Sequence, residues 1–516
     1  MIRGLAVLLL SAAAAPFGEA AGEEAPATVP PPASAPAGAA STPDPAPGTT
    51  EPAATQPGAP PPAAATGIDG LLPLDPRMAA YEEFRRLYEL ARFDEALPFA
   101  ERVVTLSENG PERDYELPIA FNNLGATQLK LGNYAAAEAS YIRSLELLEA
   151  SQGISSRRLI VPLAGLGSTY AAMDQHAKAA ELIDRALAVS RRADGLFNLN
   201  QLPLIDLTAD SRYAISDYGA AERERQYALR VLEQNYGYAD ARIIPAALGL
   251  ADFYETLQEY PAARAMYLRV RDVALKGTGT YNVVGVRAMV AICRTHRLQY
   301  TMDPDSLDDH IPLRDPISGE LVGRVYRESR VPPPAADRTG LKSAEQAVEI
   351  LRAATDPPKD LFAEALLELA DWYQTTSRPQ QAIPLYGEAS MLYSTGEFTG
   401  TGNPLIAPRM IFYRAPLSSK RGVGNTTMQY RVRSTVFRFA VAENGHTQDI
   451  QVVSTDMAEG QLSQARRAIS RAVYSPRFEN GKAVPTEAVE FTSDWYEELQ
   501  PGESNATPVS TSTAAH

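Results

Sequence analysis

The stretch Leu124-Gly125-Ala126-Thr127-Gln128-Leu129-Lys130-Leu131-Gly132-Asn133-Tyr134-Ala135-Ala136-Ala137 places small residues, a Gly-Asn turn and an aromatic in an order that returns along the 516-residue chain. Gly125, Gly167, Ala209 and Ala251 stand 42 residues apart, and so do Ala137, Ala179, Ala221 and Ala263. Tyr134, His176, Tyr218 and Tyr260 form a third column, and Leu124, Leu166, Thr208 and Leu250 a fourth. Several columns at one period, each nearly uniform in size, mark a stacked repeat. Each unit reads as two amphipathic helices and a short turn. Neither helix pair can bury its apolar face alone, so neighbours must stack. The small columns predict close helix crossings, and the aromatic column is expected to plug the turn.

Leu124-Gly125, then Leu131-Gly132-Asn133-Tyr134, then Ala137, resembles the tetratricopeptide repeat; Leu166-Gly167 with Tyr170 and Ala179 repeats the pattern. The family's usual repeat is about 34 residues. Eight extra residues imply helices longer by about a turn each, a form that the resemblance associates with peptide or cargo binding. The array opens with Arg92-Phe93-Asp94-Glu95-Ala96 and closes with Leu369-Ala370, Tyr373, Ala382 and Tyr386. The expected solenoid covers 75–394, with about seven units. The sixth is interrupted at 303–340, where a polar, Pro-rich insertion holds a short predicted strand at Leu321–Val325. Helices are expected at Val284–Gln299 and Ser343–Ala354.

After Tyr393 the helical period fails. Thr435–Glu443 alternates, Asn444-Gly445 is a strong hairpin signal, and His446–Ser454 returns. This register sets Phe437 opposite Val452 and Phe439 opposite Ile450 on one face. Leu462, Ala465, Ile469, Ala472 and Val473 form a helical stripe, Asn480-Gly481 turns the chain, and Val484–Phe491 reads as a third strand. The order Val436-Phe437-Arg438-Phe439, Asn444-Gly445, Val452-Val453-Ser454, Tyr474-Ser475-Pro476 and Asn480-Gly481-Lys482-Ala483-Val484 resembles the C-terminal domain of TonB-type energy transducers. A TonB anchor helix is longer than this N-terminus and carries a histidine, whereas the first histidine here is His176. The expected fold class is therefore mainly α: a tetratricopeptide-like α-solenoid, then a small α+β domain (395–500) of three antiparallel strands and one helix.

Residues 1–20 read as a signal peptide: Arg3, an apolar run from Leu5 to Ala15, and small residues around Gly18-Glu19-Ala20. Residues 21–74 are a Pro/Ala-rich linker too poor in apolar surface to offset its ordering entropy. Residues 501–516 read as a disordered tail. Lys and Arg number 48 against 63 Asp and Glu, a balance that argues against nucleic acid as partner. One cysteine excludes a disulfide framework and a cysteine-based zinc cluster, and export with so little cysteine favours a bacterial periplasm.

No catalytic, cofactor-binding or metal-binding residue is nominated, and no cofactor is expected. Lys420–Thr427 lacks phosphate-loop spacing. Leu307 and His310 break a calcium pattern among Asp303, Asp305, Asp308 and Asp309. Cys293 falls on an apolar helical stretch and is expected to be buried. The expectation is a non-enzymatic, exported interaction protein that takes a protein or peptide partner. The first helices of the units would line the groove, with Asn122, Ser168, Asp206, Asp210, Asp252 and Glu255 as candidate partner-binding residues. Four carboxylates there favour a basic or donor-rich partner. The alternative is a TonB-like transducer, anchored in the inner membrane and facing the periplasm, that docks an outer-membrane receptor or cell-envelope complex.

Overall fold

The computed structural model describes residues 75–276, 282–301, 310–314, 321–326, 339–395, 402–416 and 430–498. The predicted signal peptide, linker and tail, the phosphate-loop-like segment and the acidic cluster before His310 lie outside them. The chain divides into two compact units, up to Ser151 and from Gln152 onward.

In the first unit, α1 (Pro76–Glu89) pairs with α2 (Phe93–Glu108), and α3 (Arg113–Lys130) is followed by α4 (Tyr134–Gln152). Phe84, Leu87, Ala96, Ala100, Leu117 and Leu124 share its core. Gly125 is small for a reason: a Cβ there would sit 3.1 Å from the Tyr141 ring, which is fully buried.

The second unit holds α5 (Ile160–Ala172), α6 (His176–Asp194), α7 (Leu202–Ala214), α8 (Tyr218–Tyr236), α9 (Ile244–Thr256), α10 (Tyr260–Leu275), α11 (Val283–Thr301), α12 (Thr339–Ala353), α13 (Lys359–Thr375) and α14 (Pro379–Tyr393). Between α11 and α12, β1 (His310–Arg314) and β2 (Leu321–Tyr326) form an antiparallel hairpin, with β2 against α8. Helices pair in chain order, and Cys293 is buried between pairs.

Two kinds of turn recur. Where the first helix of a pair passes to the second, one residue takes left-handed φ: Ala91 and Gly132 in the first unit, and Asp174, Ser216, Gln258 and Ser377 in the second. The next residue's N–H reaches back five positions, as in Gln175 to Tyr170, Asp217 to Arg212, Glu259 to Tyr254 and Arg378 to Tyr373, at 2.8–2.9 Å. This closes the orphan carbonyls of the helix end. Between pairs, Gly195 (φ 88, ψ 163) and Gly237 (φ 94, ψ 158) adopt a conformation open only to glycine. Asn198 and Asp240 then cap the following turn through their side-chain oxygens. The aromatic column opens the second helices but does not plug every turn: Tyr260 is buried, whereas Tyr134 is 37% exposed. At the first position of a helix the ring has its own pair on one side and solvent on the other.

The C-terminal region has β3 (Arg409–Phe412), β4 (Tyr430–Val441), β5 (Thr447–Thr455), α15 (Glu459–Ser470), β6 (Val473–Ser475), β7 (Arg477–Glu479), β8 (Lys482–Val484) and β9 (Thr486–Glu498). Its main sheet has the order β5-β4-β9, covered by α15 over a core of Phe437, Phe439, Val441, Ala465, Ile469 and Trp495. The three-stranded sheet and single helix are as expected, with four differences. Phe437 pairs with Val452, but bulges shift the register on either side, so the exchange at Phe439 with Ile450 is lost. The helix ends at Ser470, and Val473 belongs to β6, which pairs with β3. Val484 closes a short β7-β8 hairpin. The third strand therefore starts at Thr486 and runs to Glu498, because β4 is long enough to pair with it as far as Tyr430.

This region is not separate from the last helix pair. Leu405 and Phe478 lie in the same buried cluster as α11 to α14. A Cβ on Gly387 would come within 2.6 Å of the Gly481 carbonyl oxygen, so the two backbones touch.

Candidate partner-binding face

The first helices of the second unit carry a polar column at the repeat spacing: Ser168 on α5, Asp210 on α7, Asp252 on α9 and Arg294 on α11. One turn away, Glu255 and Arg297 form another. At an offset of 119 residues, Asp371 and Gln374 on α13 continue both. Each sits beside the small column that the helix pair buries, which is how one period places both packing and polar residues.

The expected groove residues differ in state. Asn122 belongs to the first unit, is 9% exposed and has an Oδ1 with no hydrogen-bond partner among the described residues. It is part of the packing of α3 rather than an open contact. Ser168 is half-buried and its Oγ is likewise unpaired. Asp206 reaches solvent, yet burial by the protein around it raises its pKa; Arg225 opposes this and Asp210 adds to it. A carboxylate wetted from one side and walled on the others has this character.

The other three carboxylates are not free. Arg225 Nη2 donates to Asp210 Oδ1 at 2.6 Å. The Tyr267 hydroxyl lies 2.8 Å from Asp252 Oδ1 and 2.9 Å from Glu255 Oε2. Arg294 forks onto Glu255 at 2.7 and 3.1 Å and reaches Glu364 at 3.5 Å. Burial raises the pKa of Glu364, with Arg294 and Arg287 opposing. Asp210, Asp252 and Glu255 thus have partners within the chain, and among the described residues Asp252 alone of these three is exposed with no cation paired to it.

Farther along the same face, Arg297 forks onto Glu368 at 2.6 and 2.9 Å and lies 3.8 Å from Asp371. Asp371 is 3% exposed and accepts from Tyr386 and from Arg409 of β3, both at 2.7 Å. Burial alone would lower the pKa of Arg409, but the Asp371 charge and hydrogen bond outweigh it and raise it. Gln374 Nε2 donates to the carbonyls of Asn444 and Tyr474 at 2.7 and 3.0 Å. The sequence reading did not nominate Arg294, Arg297, Glu364, Glu368, Asp371, Gln374 or Arg409. Extending the columns of Asp252 and Glu255 by one period, and by the 119-residue offset, would have found four of them. Among the described residues no group of three or more His, Cys, Asp or Glu side chains is placed to hold a metal ion, and no helix is long and apolar enough to cross a membrane.

No curated protein matches the chain. Among solved structures, nearly identical TPR-like repeats from Podosopora anserina align at 15% identity over 40% of this chain and 99% of that one, with a TM-score of 0.37. The C-terminal part of a TPR repeat-containing protein from Cytophaga hutchinsonii aligns at 14% over 61% and 96%, with a TM-score of 0.40. A thermophilic TPR protein of Thermus thermophilus aligns at 22% over 42% and 98%, with a TM-score of 0.28. The family model described as tetratricopeptide repeat matches residues 116–192. This stretch therefore carries tetratricopeptide repeats, a fold used generally for binding protein partners, within a mainly helical chain that ends in a small region of antiparallel strands.

Proposed function

We propose that the chain is an exported, non-enzymatic scaffold that binds a protein or peptide along the first helices of its repeats. The observation that carries this reading is the last repeat, where Asp371 and Gln374 already hold another part of the chain through an arginine and two backbone carbonyls. Asp252 and Glu255 occupy the equivalent positions two helix pairs earlier. A surface that grips an extended segment at one repeat has the chemistry to grip one at another. A photo-crosslinking residue at Asp206, in the full chain expressed with its own N-terminus, tests it against the same residue at Glu181 on α6. Adducts with a discrete partner from position 206 and not from 181 are expected. Equal labelling from both positions, or none from 206, sinks the reading.

A second reading is favoured by the sheet. The order β5-β4-β9 leaves both outer strands with unpaired backbone groups among the described residues, and such edges accept an added strand. On this reading the protein works like a TonB-type transducer, held in the inner membrane and docking an outer-membrane receptor. Fractionation separates the two: a mature N-terminus near Ala21 in the soluble periplasm belongs to the scaffold, and an uncleaved N-terminus in the inner membrane to the transducer.

A further inference from the structure

The pairs α9/α10 and α13/α14 are built on one plan at an offset of 119 residues. Ala251 answers to Ala370, Tyr254 to Tyr373, Ala263 to Ala382 and Tyr267 to Tyr386. The left-handed turn residue is Gln258 in one (φ 61) and Ser377 in the other (φ 59). In each pair the second-helix tyrosine donates to the first-helix aspartate, at 2.8 Å for Asp252 and 2.7 Å for Asp371.

The two aspartates differ in what else they hold. Asp371 takes Arg409, and Leu405, four residues earlier in the same segment, is fully buried against α11 to α14. Asp210, in the same column, takes Arg225 from the second helix of its own pair, at the position where α10 has Tyr267 and α14 has Tyr386. Two of three aspartates in one column thus bind a guanidinium. Asp252 is exposed, with the Tyr267 hydroxyl as its hydrogen-bond partner among the described residues. The charges point the same way. Around Asp371, two carboxylates (Glu368, Asp371) meet two guanidinium groups (Arg297, Arg409). Around Asp252, Arg294 is forked onto Glu255 and shared with Glu364, which also feels Arg287, so among the described residues no guanidinium is paired with Asp252 itself.

We propose that Asp252, presented by Tyr267, is an arginine-binding position that takes a guanidinium from an extended partner peptide as Asp371 takes Arg409. The inference rests on the peptide-binding reading above and narrows it to a partner that presents an arginine from an extended segment, as the chain's own segment presents Arg409. Arginine suits the site better than lysine because its planar fork donates several N–H groups and is more weakly hydrated.

The probe is a fluorescent peptide of residues 402–413, titrated by anisotropy against the full chain at low salt. The parent chain is expected to bind it, Asp252→Asn to weaken binding at least tenfold with an unchanged melting temperature, and citrulline in place of the peptide's arginine to weaken it equally. Asp252→Asn should then cost the citrulline peptide nothing further. The citrulline arm changes no protein residue, so it stands even if a variant folds poorly. The proposal is overturned if the parent does not bind, if citrulline binds as well as arginine, or if Asp252→Asn binds like the parent. That last result would place the peptide at Asp371 by exchange. Crosslinking from position 206 that persists alongside any of these results leaves the scaffold reading standing and removes only the arginine site.

Discussion

At the residue scale, two positions turn local chemistry into measurable effects. A Cβ on Gly167 would collide with the end of the Ile183 side chain, its Cγ1 lying 2.8 Å away. Ile183 is fully buried and has little room to yield. Gly167→Val is expected to destabilise by about 1–3 kcal/mol, and adding Ile183→Ala should recover part of the loss by making room. Chemical denaturation of the single and double variants checks this; an unchanged midpoint in the single variant would show that α5 and α6 do not cross closely there. At Asp206 the folded-state pKa is raised, chiefly by burial. The folded protein therefore binds that proton more tightly than the unfolded chain, and the ionised carboxylate opposes folding at neutral pH. Protonation removes this opposition as pH falls through the folded pKa, and the effect is complete below the ordinary aspartate value of 3.8. Asp206→Asn should accordingly raise the melting temperature at pH 7, and the gain should vanish toward pH 3. A gain that does not change with pH would assign the effect to something other than charge.

At the element scale, the turns between helix pairs set the repeat. Gly195 and Gly237 sit where φ is near 90° and ψ near 160°. Alanine at either position is expected to cost about 1–3 kcal/mol, more than an alanine on the exposed surface of α6, as thermal melts of the variants will show. These helices were legible in the sequence because one physical demand, close crossing, repeats at fixed spacing; the small residues at 137, 179, 221 and 263 mark it. The C-terminal strands were legible where alternation met a strong turn at Asn444-Gly445. Their detail was not. A bulge, such as the one at Asp449 with its φ of 52, inserts a residue that no alternation rule anticipates. β3 and β6 are too short to show a period, and their pairing is decided by docking on α13 rather than by their own residues. The polar face was half legible. Position identified Asp210, Asp252 and Glu255 as facing one way, but whether a carboxylate is open depends on long-range neighbours, and Arg294 lies 39 residues from Glu255.

At the scale of the whole molecule, the contacts that join the last helix pair to the C-terminal strands include a shared apolar cluster, the Gln374 amide on two carbonyls, the Asp371–Arg409 ion pair and a glycine-to-glycine backbone approach. Arg409→Ala leaves Asp371 buried with Tyr386 and a more distant Arg297. The expected cost is about 1–3 kcal/mol, that of a buried acceptor losing its charged donor. Limited proteolysis should then cut the C-terminal strands sooner while helical circular dichroism is retained, and an unchanged digestion pattern would show that Arg409 does not fasten them. Gly387→Val should act in the same direction by prising the two backbones apart. The docking has a consequence for how such an array can change length. A helix pair has two sides to cover, and an end pair needs something other than another repeat on its outer side. Here α14 meets Phe478 and Gly481, residues with no counterpart in the helix pairs. Duplicating α13 and α14 would give the new copy a neighbour it was not shaped for, whereas copying an earlier pair would disturb only like neighbours. Lineages of this protein that gain or lose a repeat should do so upstream of α11, with the closing pair and its strands inherited together.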